Sequence, residues 1–194
     1  MSLGLSRNTN RPKIVGVDDG AFHVRRGAVG SAVIVAVLFH GWRISATRIG
    51  RIEVDGTDVN SVLVALLKTL AYEVVMLSGI SFGGFNLVDI KRLSGEIGKP
   101  VIAVIGGKPS NTAVEQALRA HFEDWKLRWR AVLNAGFLYS CKPFLKEPKV
   151  YFEVKGCSPR FARKLIAASS TISRLPEPIR VAGLLARGLA PLVS

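Results

Sequence analysis

Carboxylates stand at two places in the sequence where they could bind a divalent cation. Asp18 and Asp19 end an apolar, β-branched segment (KIVGVDD), and Asp55 and Asp58 precede a segment with helical periodicity. Because Mg²⁺ and Mn²⁺ prefer carboxylate oxygens, Asp18 with Asp58 or Asp55 is a candidate metal site. A metal held there supports phosphodiester hydrolysis, with Asp18 and Asp58 as the catalytic residues. Alternatively, Asp58 caps the helix and Asp55 is an ordinary turn residue before Gly56.

Seven further residues are candidate contacts for nucleic acid. The segment SGISFGGFN, which starts at residue 78, predicts a glycine-rich loop between a strand and a helix. Glycines allow backbone N–H groups to approach a ligand, and a helix N-terminus favours an anion. Such a loop also serves as a tight connection that requires small residues, and both interpretations stay open. The candidate contacts are Ser78, Gly79, Gly83, Gly84, Lys108, Arg160 and Arg180.

The charge of the chain indicates the kind of partner. Lys and Arg number 27 against 14 Asp and Glu, which gives a formal net charge of +13. Residues 119–164, the basic aromatic segment, hold eleven Lys or Arg, four Asp or Glu and nine of the fifteen aromatic residues. Such a surface suits phosphates and stacked bases, so we expect DNA or RNA as the partner. The alternative is that the aromatic rings belong to the core and the charges to a solvated face.

Composition excludes several other classes of protein. With 194 residues, 48% of them hydrophobic and 21% charged, the chain has globular composition, and we expect a single domain over residues 1–194 with a flexible segment at 1–12. No apolar run reaches the roughly 18 residues of a membrane span, so a membrane partner is not expected. The two cysteines, Cys141 and Cys157, exclude a disulfide scaffold and a zinc finger. Without a signal-peptide pattern, the expected location is cytoplasmic.

The hydrophobic periodicity predicts the elements that must position these residues. Predicted strands cover residues 13–18, 31–39, 42–54, 73–77, 100–105 and 149–154. Predicted helices cover residues 59–71, 85–97, 111–122, 158–170 and 177–187. The second and third strands are separated by a short turn and form an antiparallel hairpin, with a bulge expected near Gly50.

The order of these elements predicts an α/β fold. An antiparallel hairpin leads into βαβαβ crossovers, so we expect a mixed sheet with helices on both faces, a three-layer α/β/α architecture. Sites in such sheets gather beyond the carboxyl ends of the parallel strands. Those ends carry Asp18, Ser78 and the Gly106-Gly107-Lys108 turn.

Two long motifs carry a family resemblance. The first is MLSGISFGGFNLVDIKRLSGEIGKPVIAVIGGKP, and the second is the tail GCSPRFARKLIAASSTISRLPEPIRVAGLLARG. With the strand-end Asp18, they make residues 13–188 resemble endonuclease V and, more closely, the largely archaeal family of uncharacterised proteins related to that enzyme. The resemblance implies a ribonuclease H-like fold, which agrees with the order of elements.

The resemblance also implies site residues and a reaction. Endonuclease V nicks inosine-containing nucleic acid with Mg²⁺ held by acidic residues. The first acid corresponds to Asp18 and the second falls closest to Asp58, while Ser78 stands in place of the third acid. Cys157 stands in place of a histidine, and Lys108 is a loose counterpart of a lysine. A hydroxyl is a much weaker metal ligand than a carboxylate, so the resemblance supports the scaffold more than the reaction.

Two functions follow from these observations. The first is a nucleic-acid-binding protein on an endonuclease V-like scaffold with a degraded metal site, catalytically weak or silent. The alternative is a Mg²⁺- or Mn²⁺-dependent endonuclease that acts on modified or structured DNA or RNA.

Overall fold

A computed structural model describes residues 12–22 and 30–192 of the chain. The strands are β1 Lys13–Asp19, β2 Ser31–His40, β3 Arg43–Glu53, β4 Val74–Leu77, β5 Ser81–Phe82, β6 Asn86–Leu87, β7 Val101–Ile105, β8 Tyr139–Cys141 and β9 Val150–Lys155. The α-helices are α1 Val59–Leu67, α2 Ile90–Ile97, α3 Asn111–His121, α4 Trp125–Ala135, α5 Pro159–Ser169 and α6 Glu177–Leu189. The predicted flexible segment at 1–12 lies outside the described residues except for Pro12.

Seven strands form one mixed sheet in the order β3-β2-β1-β4-β7-β9-β8. Strands β1, β4 and β7 run parallel to one another, whereas the other neighbours pair antiparallel. Helices α1 and α2 pack on one face, and α5 and α6 pack on the other. The predicted three-layer α/β/α architecture is therefore confirmed.

Strand β2 shows why a continuous apolar run lies at the centre of the sheet. Ile34 and Leu38 face the layer of α1 and α2, and Val33 and Val35 face α6. Both faces of the strand are buried, so its residues do not alternate with polar ones.

Helix α6 packs closely against β1 and the residue that follows it. A Cβ added at Gly16 would overlap the carbonyl of Pro178, and one added at Gly20 would lie 2.5 Å from the carbonyl oxygen of Ala186. Only glycine permits this approach, so the two residues fix where the helix crosses the strand. No helix in the described ranges is long and apolar enough to cross a membrane.

Most predicted boundaries shift by one or two residues, and the helix predicted at 59–71 ends earlier, at Leu67; one helix start and one bulge also lie elsewhere than predicted. The helix expected at 85–97 begins at Ile90, because Asn86–Leu87 first pairs with Ser81–Phe82 in a small hairpin and Asp89 then caps the helix. The bulge expected near Gly50 lies instead where the register shifts between Leu38 and Phe39.

The basic aromatic segment contains two elements that the sequence did not predict, α4 and β8. In α4, Arg128 is 8% exposed, and it donates hydrogen bonds to the carbonyls of Gly56 and Phe85 and to Asp124. Its guanidinium also lies 4.2 Å from the ring centroid of Phe122. Part of the positive charge of this segment therefore stabilises the fold.

Candidate functional site

The carboxyl ends of the three parallel strands meet at one edge of the sheet, which we call the carboxyl edge. Strand β1 ends there with Asp18 and Asp19, and Ser78 directly follows β4. The N–H of Ser78 donates to the carbonyl of Val17 over 3.1 Å, and its hydroxyl donates to Oδ1 of Asp18. The structure thus brings together two of the predicted site residues, Asp18 and Ser78.

The carboxyl group of Asp18 is enclosed by α6 as well as by Ser78. A Cβ added at Gly183 would overlap Oδ2 of Asp18 and lie 3.0 Å from Nη1 of Arg187. Burial raises the pKa of Asp18 to about 6, although the hydrogen bond from Ser78 and the charge of Arg187 oppose the rise. Gly183 and Arg187 are therefore neighbours of Asp18 that sequence reasoning missed. The tail motif contains a small residue at this position, and no other feature of the sequence indicated the contact.

Asp19 holds the glycine-rich loop. Its Oδ2 accepts a hydrogen bond of 2.7 Å from the N–H of Gly83, and burial raises the pKa of this carboxyl group. The carbonyl of Gly83 accepts from the N–H of Asp55 over 2.7 Å. One predicted nucleic-acid contact, Gly83, is thus fixed on both sides by aspartates of the protein itself.

Asp55 and Asp58 have structural partners. Asp55 has a positive φ of 56°, and its Oδ1 accepts from the N–H of Phe85 over 2.7 Å. The carboxyl oxygens of Asp58 accept from the N–H of Glu53 at 3.3 Å and from Nδ2 of Asn86 at 2.6 Å. These contacts connect the turn before α1 to the end of the glycine-rich loop.

Asn86, rather than Asp58, caps α1. Its Oδ1 accepts from the N–H of Val59 over 3.2 Å, and the Asp58 side chain makes no cap bond. Asn86 is fully buried and also donates to the carbonyl of Glu53 over 2.9 Å. A buried amide with all these partners satisfies backbone groups that the helix end would otherwise leave unpaired.

The metal site predicted from the sequence combines Asp18 with Asp58 or Asp55. Over residues 12–22 and 30–192, no three His, Cys, Asp or Glu side chains group in a way that could hold a metal ion. The pairing of Asp18 with Asp58 or Asp55 around a cation stays a prediction, and both possible partners already accept hydrogen bonds from N–H groups of the protein. The hydroxyl of Ser78 donates to Asp18, and a metal role for Asp18 stays a prediction.

A cavity of about 170 Å³ lies beside Ser78. Apolar side chains form most of its wall, and its polar lining includes Ser81 and Glu153. Burial raises the pKa of Glu153 to about 7. Gly79 has a positive φ of 91°, and a Cβ added there would lie 2.9 Å from Cγ2 of Ile105, which also lines the cavity. A largely apolar cavity with a few polar groups is typical of a small-ligand site.

The predicted basic contacts separate into different regions. Lys108 is exposed and follows β7 at the carboxyl edge. Arg180 is paired with Glu177 at 2.7 Å on the first turn of α6, one turn before Gly183. Arg160 follows β9, whose last residue pairs with the first residue of β7, so it lies at the opposite edge of the sheet.

Cys157 lies at that opposite edge as well. A Cβ added at its neighbour Gly156 would be 3.0 Å from Cα of Pro100, which precedes β7. Cys157 therefore lies away from Asp18, because the chain reverses direction in β9. Gly84, the last predicted contact, has a φ of 83° and packs against Asp55.

Comparisons with known proteins agree with this architecture. A UPF0215 protein of Thermococcus gammatolerans is 36% identical over 179 residues, which covers 90% of each chain. The crystal structure of an Archaeoglobus fulgidus protein of unknown function superposes with a TM-score of 0.80 at 29% identity, covering 91% of this chain and 96% of that one.

Endonuclease V is a more distant structural neighbour. The Ciona intestinalis enzyme, in complex with a 24mer DNA containing an inosine, superposes with a TM-score of 0.59 at 15% identity. The match covers 94% of this chain and 87% of that one, and it confirms the predicted ribonuclease H-like fold. The model of the family described as endonuclease dU matches residues 10–190, and the chain therefore belongs to that family, related in fold to endonuclease V.

Proposed function

We propose that this protein binds nucleic acid across the carboxyl edge of its sheet, on a nuclease scaffold. The observation that carries the proposal is the meeting of Asp18, Ser78, the glycine-rich loop and a cavity at one edge of a chain with a net charge of +13. The DNA bound to the Ciona intestinalis neighbour supports this choice of partner. Phosphate contacts would supply most of the affinity.

The cavity beside Ser78 would receive one base of the bound strand. Its apolar walls suit the faces of a base, and Ser81 and Glu153 offer hydrogen-bonding groups to its edge. Catalysis would be weak or absent, because Asp55 and Asp58 direct their carboxyl oxygens to backbone and amide N–H groups.

A metal-dependent endonuclease is the second candidate, and the family description favours it. Asp18 and Asp19 would hold Mg²⁺ or Mn²⁺, which would supply charge stabilisation and an activated water. Ser78 would orient the Asp18 carboxylate through its hydroxyl. Arg187 would favour the ionised form of both aspartates, since its charge lowers the pKa of each.

A cleavage and binding panel tests both candidates. Labelled DNA and RNA duplexes and single strands, each unmodified or carrying inosine or deoxyuridine, are incubated with Mg²⁺, Mn²⁺ or a chelator. The wild-type protein runs beside Asp18→Asn and a control, Glu115→Gln, which changes a carboxylate in a surface ion pair on α3.

The outcomes distinguish the candidates. Binding without cutting by the wild-type protein supports the nucleic-acid-binding function. Metal-dependent cutting that Asp18→Asn removes and Glu115→Gln retains establishes the endonuclease. If the wild-type protein neither binds nor cuts any substrate at low salt, both candidates are overturned.

A further inference from the structure

The connection between β8 and β9, residues 142–149, emerges at the carboxyl edge. The last residue pair of these two strands is Cys141 with Val150, and the next residue of β9, Tyr151, pairs with Ile105 at the end of β7. The 142–149 loop therefore projects from the same edge as Asp18 and Ser78.

Four exposed lysines gather at this part of the edge. Three of them, Lys142, Lys146 and Lys149, belong to the 142–149 loop, and Lys108 follows β7. No carboxylate of the described residues lies within ion-pair distance of any of the four. Unpaired cations that share one surface attract a polyanion most strongly, because no internal partner neutralises them.

Arg174 adds a fifth cation beside the loop. Its Nη2 would lie 3.1 Å from a Cβ added at Gly106, and its Nη1 donates to the carbonyl of Lys149 over 3.3 Å. The acidic residue of the loop, Glu147, accepts a hydrogen bond from the backbone N–H of Arg174 over 3.1 Å. Glu147 therefore attaches the loop to the segment before α6.

Leu145 projects from the middle of these cations with 91% of its surface exposed. The loop that carries it is held by internal contacts: Lys142 Nζ donates to the carbonyl of Leu145 at 3.4 Å, and the N–H of Glu147 donates to the carbonyl of Phe144 at 3.3 Å. Pro143 and Pro148 restrict the backbone on either side. An apolar side chain on a held loop among cations has the composition of a wedge that enters stacked bases.

We propose that the 142–149 loop is a duplex-engaging loop, in which the lysines contact phosphates and Leu145 inserts between neighbouring base pairs. The inference rests on the proposed nucleic-acid binding and adds the surface that recognises a duplex. Insertion at this edge would unstack bases close to the cavity beside Ser78. The affinity gained from phosphate contacts would offset the cost of unstacking.

The first experiment measures how duplex binding depends on salt. One variant changes Lys142, Lys146 and Lys149 to Gln, and the matched control changes the exposed residues Lys68, Lys99 and Arg43 to Gln, so both lose three charges. We expect the loop variant to bind about 10- to 100-fold more weakly, with the slope of log affinity against log salt reduced by about 2 to 3. The control should keep the wild-type slope.

The second experiment tests the wedge. A duplex containing 2-aminopurine, whose fluorescence rises when it is unstacked, is titrated with the wild-type protein, with Leu145→Ala and with a control, Leu127→Ala, which alters another exposed leucine. We expect the fluorescence rise to disappear only in Leu145→Ala, with the salt slope unchanged.

The results separate the two proposals. If the wild-type protein binds no duplex, the loop proposal fails together with the proposed function. If the wild-type protein binds but the loop variant matches its triple control, or Leu145→Ala retains the fluorescence rise, only the loop proposal is overturned.

Discussion

Four aspartates near the carboxyl edge differ in what their carboxyl groups contact. Asp18 accepts from the Ser78 hydroxyl and from the N–H of its neighbour Asp19. Asp19, Asp55 and Asp58 instead accept from N–H groups of the glycine-rich loop, those of Gly83, Phe85 and Asn86 respectively. A carboxylate that satisfies buried donors stabilises the fold in its ionised form. Asp18 is therefore the residue of the four whose substitution we expect to separate function from folding.

Glu153 predicts a pH dependence of stability. Burial raises its pKa from an ordinary 4.5 to about 7. The contribution of this carboxyl group to the free energy of unfolding is therefore fully present below about pH 4.5 and is lost as pH rises through about 7. Glu153→Gln keeps a neutral side chain there. We expect its free energy of unfolding at pH 8 to exceed that of the wild-type protein by roughly 1–3 kcal/mol. Urea denaturation at pH 5 and pH 8 measures the difference.

Asp18 and Asp19 limit how much of the pH dependence of stability the Glu153→Gln substitution removes. Burial raises the pKa of both groups as well, so some loss of stability with rising pH should persist in Glu153→Gln. Glu115→Gln, on the surface, serves as the control and should follow the wild-type curve. A Glu153→Gln curve as steep as that of the wild-type protein would show that this carboxyl group is solvated.

At the scale of elements, the site depends on how closely α6 approaches β1. Gly16 and Gly20 allow the contact along the strand, and Gly183 leaves room for the Asp18 carboxyl group. The helix thereby contributes to the site without any chemically active side chain of its own at that position. Its neighbour on the next turn, Arg187, contributes positive charge instead.

A pair of glycines in α6 provides a matched test of this packing. Gly183→Ala places a Cβ against Oδ2 of Asp18 and should destabilise the protein by about 1–3 kcal/mol. Gly188→Ala, in the same helix, meets no atom within 4 Å and should be neutral or stabilising by up to about 1 kcal/mol. Thermal denaturation of both variants checks the prediction, and equal stabilities would contradict the close approach.

At the scale of the whole molecule, the sheet separates two kinds of edge. The carboxyl edge collects Asp18, Ser78, the cavity and the lysines of the 142–149 loop, while the opposite edge carries Cys157 and Arg160. Because β7 and β9 run antiparallel, the residues just before β9 and those just after it lie at opposite edges of the sheet, although few residues separate them in the sequence. The net charge of +13 alone does not distinguish these edges.

This arrangement predicts that nucleic acid stabilises the folded protein. A ligand that binds only the folded state raises the melting temperature, and phosphate contacts make the increase sensitive to salt. We expect a DNA duplex to raise the melting temperature at low salt and to lose this effect at 1 M NaCl. That concentration is about tenfold above the one at which the Debye length is 10 Å, so it screens the phosphate contacts. Polyglutamate is the control, and an equal increase with it would indicate attraction by charge alone.

The layers of the fold, and the edge of the sheet that carries Asp18 and Ser78, were predictable from the sequence. Apolar periodicity is a local property, so the main strands and most helices were predictable, and the βαβ order placed Asp18 and Ser78 at one edge. Apolar periodicity did not predict α4, since aromatic and charged residues obscure the helical period there. The start of α2 was also not predictable, because the preceding hairpin has strands of only two residues each, and such strands depend on pairing rather than on periodicity.

Which residues contact one another across elements was not predictable from the sequence. Hydrogen bonds between distant segments commit Asp55 and Asp58 to the fold, and the contact of α6 with β1 places Gly183 and Arg187 beside Asp18. These hydrogen bonds and this helix–strand contact both depend on long-range packing. The position at which a helix crosses a neighbouring element is not specified by the hydrophobic pattern of the helix or of that element. The physical reason is that periodicity specifies which face of an element is buried, whereas the partner of that face is chosen by the whole fold.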